Sequence, residues 1–474
     1  MTSLRPVRHS GGMAARWRFI ICFAAWSPAQ SAPLTVTLDD LVALDGVGGF
    51  YADLTLPESD PDLPLIDPER TGPAARLLQL YGAAGAGLSG ILYDNRDRAH
   101  STLDPGLFPA LTRLRYGPGL IARQLDYGLA GALVLPGIVI GNSSTAIVTG
   151  PAPRSQTRLA MTSPDGPAQA FRAYAGNALY VYPEHRDHDA RDLFPGNWPY
   201  TVTSQGSSGS DQAFLEALVM TLAAFPQATR DKLQSEGLIA PTLQMILRRS
   251  LHTITSDRAY LSGMAHPPVF DSDALAPGRM IAMAAAMEPD TIPPLVRLTI
   301  RAEDFVGAGQ LDQSERLYTT PSAIARLWRN ARWSREMVLS AAGTFDPNGR
   351  PLTFSWVLLR GDPNAVTIEP FGPDQAQARL RLTWHDPGAG ALPGWRPGSR
   401  IDIAVFVSNG TYHSAPAIVS ILLPWHEGRV YAADATGTMV LNESRPIPTL
   451  YRDPLLFAAT VENGAVGEDD PISQ

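Results

Sequence analysis

A buried strand is predicted by residues 128–140, which read Gly-Leu-Ala-Gly-Ala-Leu-Val-Leu-Pro-Gly-Ile-Val-Ile. An apolar run of this kind is typical of a strand that is covered on both faces, as in a parallel sheet. A second run of the same type, Ala-Leu-Tyr-Val-Tyr, occupies residues 178–182, and helical patterns follow at 211–225 and 322–330. Because strands and helices alternate over residues 74–334, we expect an α/β or α+β main domain with long loops there.

The segment before this domain has a different composition. Residues 34–38, Leu-Thr-Val-Thr-Leu, alternate as a short strand does. Residues 56–73 then contain five acidic residues and five prolines, a composition that prevents a helix or a central strand. We therefore expect an N-terminal strand and a proline-rich linker over residues 33–73.

After residue 335 the pattern changes to short alternating strands. The clearest are residues 352–358, 378–384 and 401–407, and turn residues precede the first of them at 346–351. Strands of period two that are separated by such turns are typical of a β-sandwich. The sequence therefore predicts an all-β domain C-terminal to the main domain.

Three short motifs in this part resemble the PKD and cadherin-like immunoglobulin-type modules of exported bacterial proteins. They are Thr-Phe-Asp-Pro-Asn-Gly at 344–349, Pro-Leu-Thr-Phe-Ser-Trp at 351–356 and Val-Ser-Asn-Gly at 407–410. The resemblance implies an immunoglobulin-like sandwich over residues 335–430 that serves as an accessory or spacer domain, and Asn409 stands where these modules usually carry an aspartate. Residues 431–474 are expected to form a C-terminal extension with a disordered acidic end.

The N-terminus is typical of a secretory signal peptide. Arg16 and Arg18 precede an apolar stretch at 19–26, and small residues that end at Ala32 provide a cleavage site. The apolar stretch is too short to cross a bilayer, which needs about 20 residues. We therefore expect a signal peptide over residues 1–32, a mature chain without a membrane span, and export to the periplasm or the extracellular space.

Composition excludes several classes of function. The single cysteine, Cys22, lies in the expected signal peptide, so the mature chain would contain no disulfide, thiol nucleophile or iron–sulfur cluster. The single lysine, Lys232, is not preceded by glycine, which excludes a phosphate-binding Gly-Lys loop. The net charge is −8, and no basic run offers a surface to nucleic acid. We expect a small molecule or an extracellular polymer as the partner.

Two polar clusters suggest a metal site. Tyr-Pro-Glu-His-Arg-Asp-His-Asp at 182–189 follows a predicted buried strand, and Tyr-Asp-Asn-Arg-Asp-Arg-Ala-His-Ser at 93–101 is equally polar. Imidazole and carboxylate groups together suit zinc, iron or manganese, and a metal-bound water would be the nucleophile of a hydrolase. The ligands expected on this hypothesis are Asp94, His100, His185, His188 and Asp189. The alternative is a pair of solvated loops whose charges pair locally.

A third cluster lies at the predicted start of a helix, in Gln-Gly-Ser-Ser-Gly-Ser-Asp at 205–211. Free N–H groups at a helix start bind anions, so Ser207, Ser208, Gly209 and Ser210 are expected to bind an anion or another small ligand. The alternative is a helix that is simply capped by Ser210 or Asp211. A further polar segment, Gly-Asn-Ser-Ser-Thr at 141–145, is interpreted as a hairpin turn.

The same loop allows a serine hydrolase. Ser208 would be the nucleophile, His266 its base, and Asp257 or Asp271 the residue that orients the base. Three functions therefore stay open: a metal-assisted hydrolase, an exported ligand-binding protein, and a serine hydrolase. Both hydrolase hypotheses require their side chains to converge, whereas the binding hypothesis does not.

Overall fold

The computed structural model describes residues 30–44, 48–58, 60–98, 100–147, 154–188, 192–307, 314–385 and 400–447. Most of the expected signal peptide, Cys22, Asp189 and the acidic end of the chain lie outside these residues. The described residues of the first part form eleven strands. They are β1 (Leu34–Val36), β2 (Leu41–Ala43), β3 (Phe50–Ala52), β4 (Ile91–Asn95), β5 (Thr112–Tyr116), β6 (Leu133–Val134), β7 (Ile138–Asn142), β8 (Ala146–Ile147), β9 (Arg154–Ser155), β10 (Ala178–Pro183) and β11 (Thr201–Ser204).

Helices alternate with these strands and then follow them as a group. They are α1 (Pro73–Gly82), α2 (Pro118–Ala122), α3 (Gln156–Thr162), α4 (Gly166–Ala175), α5 (Gln212–Ala224), α6 (Gln227–Ser235), α7 (Ile239–Ser250), α8 (Asp257–Tyr260) and α9 (Pro277–Ala285). Helix α5 is apolar and buried almost all round, which marks it as a core helix and not a surface helix. Short 3-10 turns occupy Leu38–Asp40, Gly263–Ala265, Ser272–Ala274 and Pro373–Gln375. No helix among the described residues has the length and apolarity that crossing a bilayer requires.

The centre of this part is a six-stranded sheet with the order β1-β5-β4-β7-β10-β11. Every neighbouring pair in it is parallel. After β4 the chain moves outward to β5, and it then returns to β7 on the opposite side of β4 before it continues to β10 and β11. The direction of winding therefore reverses between β4 and β7. A crevice at the carboxyl ends of the strands is expected at such a point.

The predicted buried run at 128–140 is divided in the structure. A turn at Pro136-Gly137 separates the two residues of β6 from β7, and Gly137 has a φ of 74°. The second predicted run is confirmed as β10, and the expected first strand is confirmed as β1. The described residues of the proline-rich segment 56–73 form no strand, and helix begins among them only at Pro73.

In the second part, the residues that the structure describes form eleven further strands. They are β12 (Thr299–Glu303), β13 (Arg316–Thr320), β14 (Ala323–Leu327), β15 (Ser334–Ser340), β16 (Thr353–Arg360), β17 (Val366–Phe371), β18 (Gln377–Thr383), β19 (Arg400–Ser408), β20 (Ala417–Leu422), β21 (Glu427–Ala433) and β22 (Met439–Pro446). Four form the antiparallel sheet β12-β15-β18-β17, and five form the sheet β13-β14-β20-β19-β16. Apolar side chains of both sheets form one buried cluster, which includes Met337, Leu380, Ile403 and Val419.

The β-rich part begins earlier than the sequence suggests. Strands β12, β13 and β14 precede residue 335 and belong to its two sheets. The expected helix at 322–330 is wrong, because residues 323–327 form β14. This strand pairs with β13 on one side and in parallel with β20 on the other, and all five of its residues are buried. Its sheet partners, which are distant in sequence, outweigh its local helical preference.

The two parts share one apolar core. Phe406 of β19, Ile418 of β20 and Tyr318 of β13 belong to the same buried cluster as the helices α5 and α7. Polar contacts cross the same boundary, where Arg400 Nη1 donates to Asp192 Oδ1 at 3.0 Å and to the carbonyl oxygen of Phe194 at 2.8 Å. The β-rich part is therefore packed against the α/β part over one face of its five-stranded sheet.

Candidate functional site

Asn142, the last residue of β7, lies in a buried polar layer at the carboxyl edge of the parallel sheet. Its Oδ1 accepts a hydrogen bond from the Tyr93 hydroxyl at 2.8 Å. Its Nδ2 donates to Asp211 Oδ2 at 2.7 Å, to the Ser101 carbonyl oxygen at 3.2 Å and, more weakly, to Asp97 Oδ2 at 3.5 Å. Asn142, Asp97 and Asp211 are all fully buried. The layer therefore joins the ends of β4 and β7 to the start of α5, at the point where the winding reverses.

A hydroxyl-rich loop covers this layer. The main-chain N–H of Gly209 donates to Ser101 Oγ at 2.8 Å, and the Ser208 hydroxyl lies 3.5 Å from the Ser144 carbonyl oxygen. Ser144 Oγ in turn donates to Ser101 Oγ at 2.7 Å and lies 3.4 Å from both carboxylate oxygens of Asp211. Ser207, Ser208 and Gly209 are exposed. The loop thus presents hydroxyl groups to solvent on one side and contacts buried acceptors on the other.

The charges around this loop do not favour an anion. Three of its N–H groups already have acceptors: Gly206 donates to Glu184 Oε1 at 3.3 Å, Gly209 to Ser101, and Ser210 to the Ser207 carbonyl oxygen. Asp211 immediately precedes α5, and its buried carboxylate occupies the region where the helix dipole would attract an anion. Repulsion by this carboxylate and by the buried Glu184 outweighs the attraction of the helix start.

Asp94, a predicted metal ligand, has a structural role instead. Its Oδ2 accepts from Arg96 Nε at 2.8 Å and from the Tyr180 hydroxyl at 2.7 Å, and its Oδ1 accepts from the Tyr116 hydroxyl at 2.7 Å. Asp94 is fully buried and Arg96 is only 2% exposed. Hydrogen-bond donors from β5, from β10 and from the loop after β4 therefore bind both oxygens of this buried carboxylate.

Of the predicted histidine ligands, His100 and His185 are near enough to interact electrostatically, whereas His188 lies beside Phe194 and Arg400. His100 is exposed, whereas burial lowers the pKa of His185, which lies beside the main chain of Ser144 and near Asp211. His188 packs against the Phe194 ring at 6.4 Å, and burial lowers its pKa too, in the neighbourhood of Arg400. Asp189 lies outside the described residues. Within the described ranges, no three His, Cys, Asp or Glu side chains are arranged to hold a metal ion.

Asp187, between the two histidines, has an unusual environment. It is fully buried, and its Oδ1 lies 3.7 Å from Arg158 Nη1 while its Oδ2 accepts from the Ser155 N–H. Burial raises the pKa of Asp187 to about 6, although Ser155 and Arg158 act in the opposite direction and the nearby Glu184 adds to the increase. The pKa of Asp187 thus lies well above the ordinary value for an aspartate, as is common for acid–base groups in functional sites.

The serine-hydrolase side chains have different neighbours. His266 is 2% exposed, and its ring packs at 5.0 Å from Tyr260 and at 4.9 Å from Phe406 of the β-rich part. Its Nε2 lies 2.5 Å from the Tyr260 carbonyl oxygen, while Ser208 is exposed beside Ser144. Burial lowers the pKa of His266 well below its usual value.

The proposed orienting acids do not contact His266 either. Asp257 pairs with Arg249 and lies 3.9 Å from His413, and Asp271 accepts from the Asp273 N–H at the start of a 3-10 turn. The structure therefore does not bring Ser208, His266 and an acid together.

Sequence interpretation missed the central residues of the layer. The segment 141–145 was expected to form a hairpin turn, and this is wrong, because β7 pairs in parallel with β4 and β10. The available signal was that both apolar runs, before Asp94 and before Asn142, end in polar residues. Strands of a parallel sheet end at the same edge, so these polar ends meet there.

Comparisons with known proteins add little. No family model matches the chain, and no curated protein matches it. Among solved structures, the chain is similar to a nucleoside hydrolase-related hypothetical protein from Saccharophagus degradans that is associated with carbohydrate metabolism. The identity is 10%, the match covers 70% of this chain and 99% of that chain, and the TM-score is 0.21. A similarity of this size is too low to assign a fold or an activity.

Proposed function

We propose that the α/β part binds a small polyhydroxylated molecule, such as a free sugar, at the carboxyl edge of its parallel sheet. One observation carries the proposal: a buried layer centred on Asn142 lies where the winding of the sheet reverses. Open α/β sheets bind ligands at such reversals because the loops diverge there and leave a crevice.

The chemistry of the layer favours a ligand that donates hydrogen bonds. Asp211 accepts from Asn142 and Ser144, and a carboxylate has room for about four donors. Sugar hydroxyls are neutral donors, so they can approach buried carboxylates without the repulsion that an anion would meet. The side chains of Asn142 and Ser144 would hold the carboxylate oxygens of Asp211 in position to accept these hydrogen bonds.

Access to the layer would require the loop at 205–210 to move. Gly206 and Gly209 have φ values of 118° and 96°, in a region that only glycine enters readily, so they are suited to absorb the change of backbone angle. Ser207, Ser208 and Ser210 would then contact the bound ligand through their hydroxyl groups. These are the residues that the sequence indicated for ligand binding, with a neutral ligand in place of an anion.

We also propose that the chain is exported and that its β-rich part is an immunoglobulin-like module. The signal-peptide pattern at 1–32 and the absence of cysteine after it support export. The two facing sheets and the motif residues support the module: Asn409 Nδ2 donates to Asp346 Oδ2 at 2.9 Å and to the Ile292 carbonyl oxygen at 2.9 Å. In this arrangement the amide of Asn409 contacts the Asp346 carboxylate directly.

Thermal unfolding in the presence of candidate ligands tests the binding proposal. We expect pentoses, hexoses or short sugar polymers to raise the unfolding temperature of the wild-type protein, and inorganic phosphate and divalent cations to leave it unchanged. Asp211→Asn should weaken the ligand effect roughly 10- to 100-fold, the value of one or two charged hydrogen bonds. Asp231→Asn, on the exposed face of α6, is the matched control and should bind normally. Equal binding by both variants, or no sugar effect at all, would contradict the proposal.

A further inference from the structure

Arg248 of α7 is a buried cation without an acidic partner. Its side chain is 1% exposed, its Nε donates to Gln244 Oε1 at 3.1 Å, and its guanidinium lies 4.9 Å from the centre of the Phe270 ring. Its Nη1 has no hydrogen-bond partner among the described residues. Burial lowers the pKa of Arg248 to about 10, so the group still carries its charge at neutral pH.

The other buried arginines of the described chain are compensated. Arg230 donates to the carbonyl oxygens of Gly87 and Ser89. The rest form ion pairs with carboxylates: Arg96 with Asp94, Arg158 with Asp187, Arg326 with Glu303, Arg335 with Glu315, Arg400 with Asp192 and Asp402, and Arg429 with Glu427. Every other buried guanidinium among the described residues thus contacts a carboxylate or, in Arg230, two main-chain carbonyl oxygens, whereas Arg248 has neither kind of partner.

A second unsatisfied donor belongs to the same buried cluster. Tyr174 is fully buried, and its hydroxyl has no hydrogen-bond partner within the described ranges. Tyr174 lies on α4, which packs against α7, and the charge of Arg248 acts to lower the pKa of Tyr174 while burial raises it. His266 is also near, but its Nε2 must donate to the Tyr260 carbonyl oxygen, which leaves a lone pair on Nδ1. Arg248 Nη1 and the Tyr174 hydroxyl are therefore two buried donors without an acceptor among the described residues.

We propose that a small monovalent inorganic anion, chloride in ordinary buffers, binds between Nη1 of Arg248 and the hydroxyl of Tyr174. An uncompensated buried charge is strongly unfavourable, and an anion supplies both the missing counter-charge and an acceptor for the two donors. A water molecule would satisfy the N–H group but would leave the charge unbalanced.

The position of this site gives the anion a structural role. The Tyr260 hydroxyl, in the same cluster, donates to the Ser414 carbonyl oxygen at 2.7 Å, and His266 packs on Phe406. Both partners belong to the β-rich part of the chain. The anion would therefore stabilise the packing of α7 against that part, and it is independent of the ligand layer at Asn142.

Chloride-dependent unfolding tests the proposal. The full-length mature protein is unfolded by heat at constant ionic strength while chloride replaces gluconate from about 1 to about 300 mM, and we expect the midpoint to rise by roughly 2–4 °C. Arg248→Met should abolish this dependence. Arg249→Met is the matched control, because Arg249 is the next residue, is 28% exposed and already pairs with Asp257, so its chloride dependence should equal that of the wild type.

A second variant keeps the test decisive if Arg248→Met does not fold. Tyr174→Phe retains the ring and removes one donor, so the chloride concentration at half effect should increase roughly tenfold. Bromide in crystals of the wild-type protein should give an anomalous peak next to Nη1 of Arg248. A midpoint that does not respond to chloride, an unchanged response in Tyr174→Phe or Arg248→Met, or a bromide peak only elsewhere would overturn the proposal.

Discussion

Replacement of Asp94 by asparagine should destabilise the protein severely without any involvement of a metal. The Asp94 carboxylate accepts three hydrogen bonds, from Arg96, Tyr116 and Tyr180, and both members of the ion pair are buried. Asparagine has one acceptor oxygen, and its amide nitrogen would face a donor. Arg96 would keep its bond to the Leu129 carbonyl oxygen at 3.0 Å but would lose its counter-charge. Loss of one member of a buried ion pair typically costs about 3–5 kcal/mol, and we expect a value in that range.

Urea denaturation followed by circular dichroism and by tryptophan fluorescence measures this loss. The transition midpoint should fall at a nearly unchanged slope, because the surface exposed on unfolding stays the same. Asp126→Asn removes the acid of the pair with Arg98, which is 47% exposed, and should have a much smaller effect. The wild type should unfold identically with and without a chelator. A loss below about 1 kcal/mol in Asp94→Asn, or a chelator effect that this variant abolishes, would refute the structural role of Asp94.

Two further predictions concern pH and the boundary between the two parts. Asp192→Ala should weaken the packing between the two parts of the chain, because Asp192 pairs with Arg400 and Arg360. Burial alone would raise the pKa of Asp192, but the two arginines outweigh burial and lower the pKa. The stability that these ion pairs contribute is therefore complete above the ordinary aspartate pKa of about 3.9 and declines at lower pH. Urea titrations from neutral pH downward should show the variant and the wild type converging in strongly acidic solution, and a constant difference would contradict the assignment. Asp187 should give the opposite dependence of stability on pH, because its pKa is raised from 3.8 to about 6. The free energy of unfolding of the wild type should therefore fall by up to about 3 kcal/mol as the pH rises through that interval. Asp187→Asn should remove this decline, and an unaltered pH profile would contradict the raised pKa.

Local patterns in the sequence predicted much of the backbone. The apolar run at 178–182 becomes β10, and the alternating segments at 378–384 and 401–407 lie in or around β18 and β19. In each case the pattern reflects burial on one or both faces of the final sheet. The helix predicted at 322–330 was wrong because β14 pairs with residues 316–320 and 418–422, and nothing in the local sequence indicates these pairings.

The candidate site was harder to predict for the same reason. The sequence indicated Asp94 as a metal ligand and Asp211 as a possible helix cap, but the roles of both depend on distant donors. Tyr116 and Tyr180 donate hydrogen bonds to Asp94, which gives this buried acid a structural role. Asn142 donates to Asp211 and so holds it at the edge of the sheet. The strand order determines that Asp94 is enclosed within the sheet and that Asp211 lies at its edge. The local sequence pattern does not reveal this order.

Calorimetric titration of the mature protein with a sugar that raises its unfolding temperature tests the central claim most directly. We predict one binding site per chain, heat that is unchanged by a chelator, and loss of the signal in Asp211→Asn while Asp231→Asn retains it. Binding that persists undiminished in Asp211→Asn, or that requires a divalent metal, would contradict a ligand site built on Asn142 and Asp211 at the carboxyl edge of the sheet.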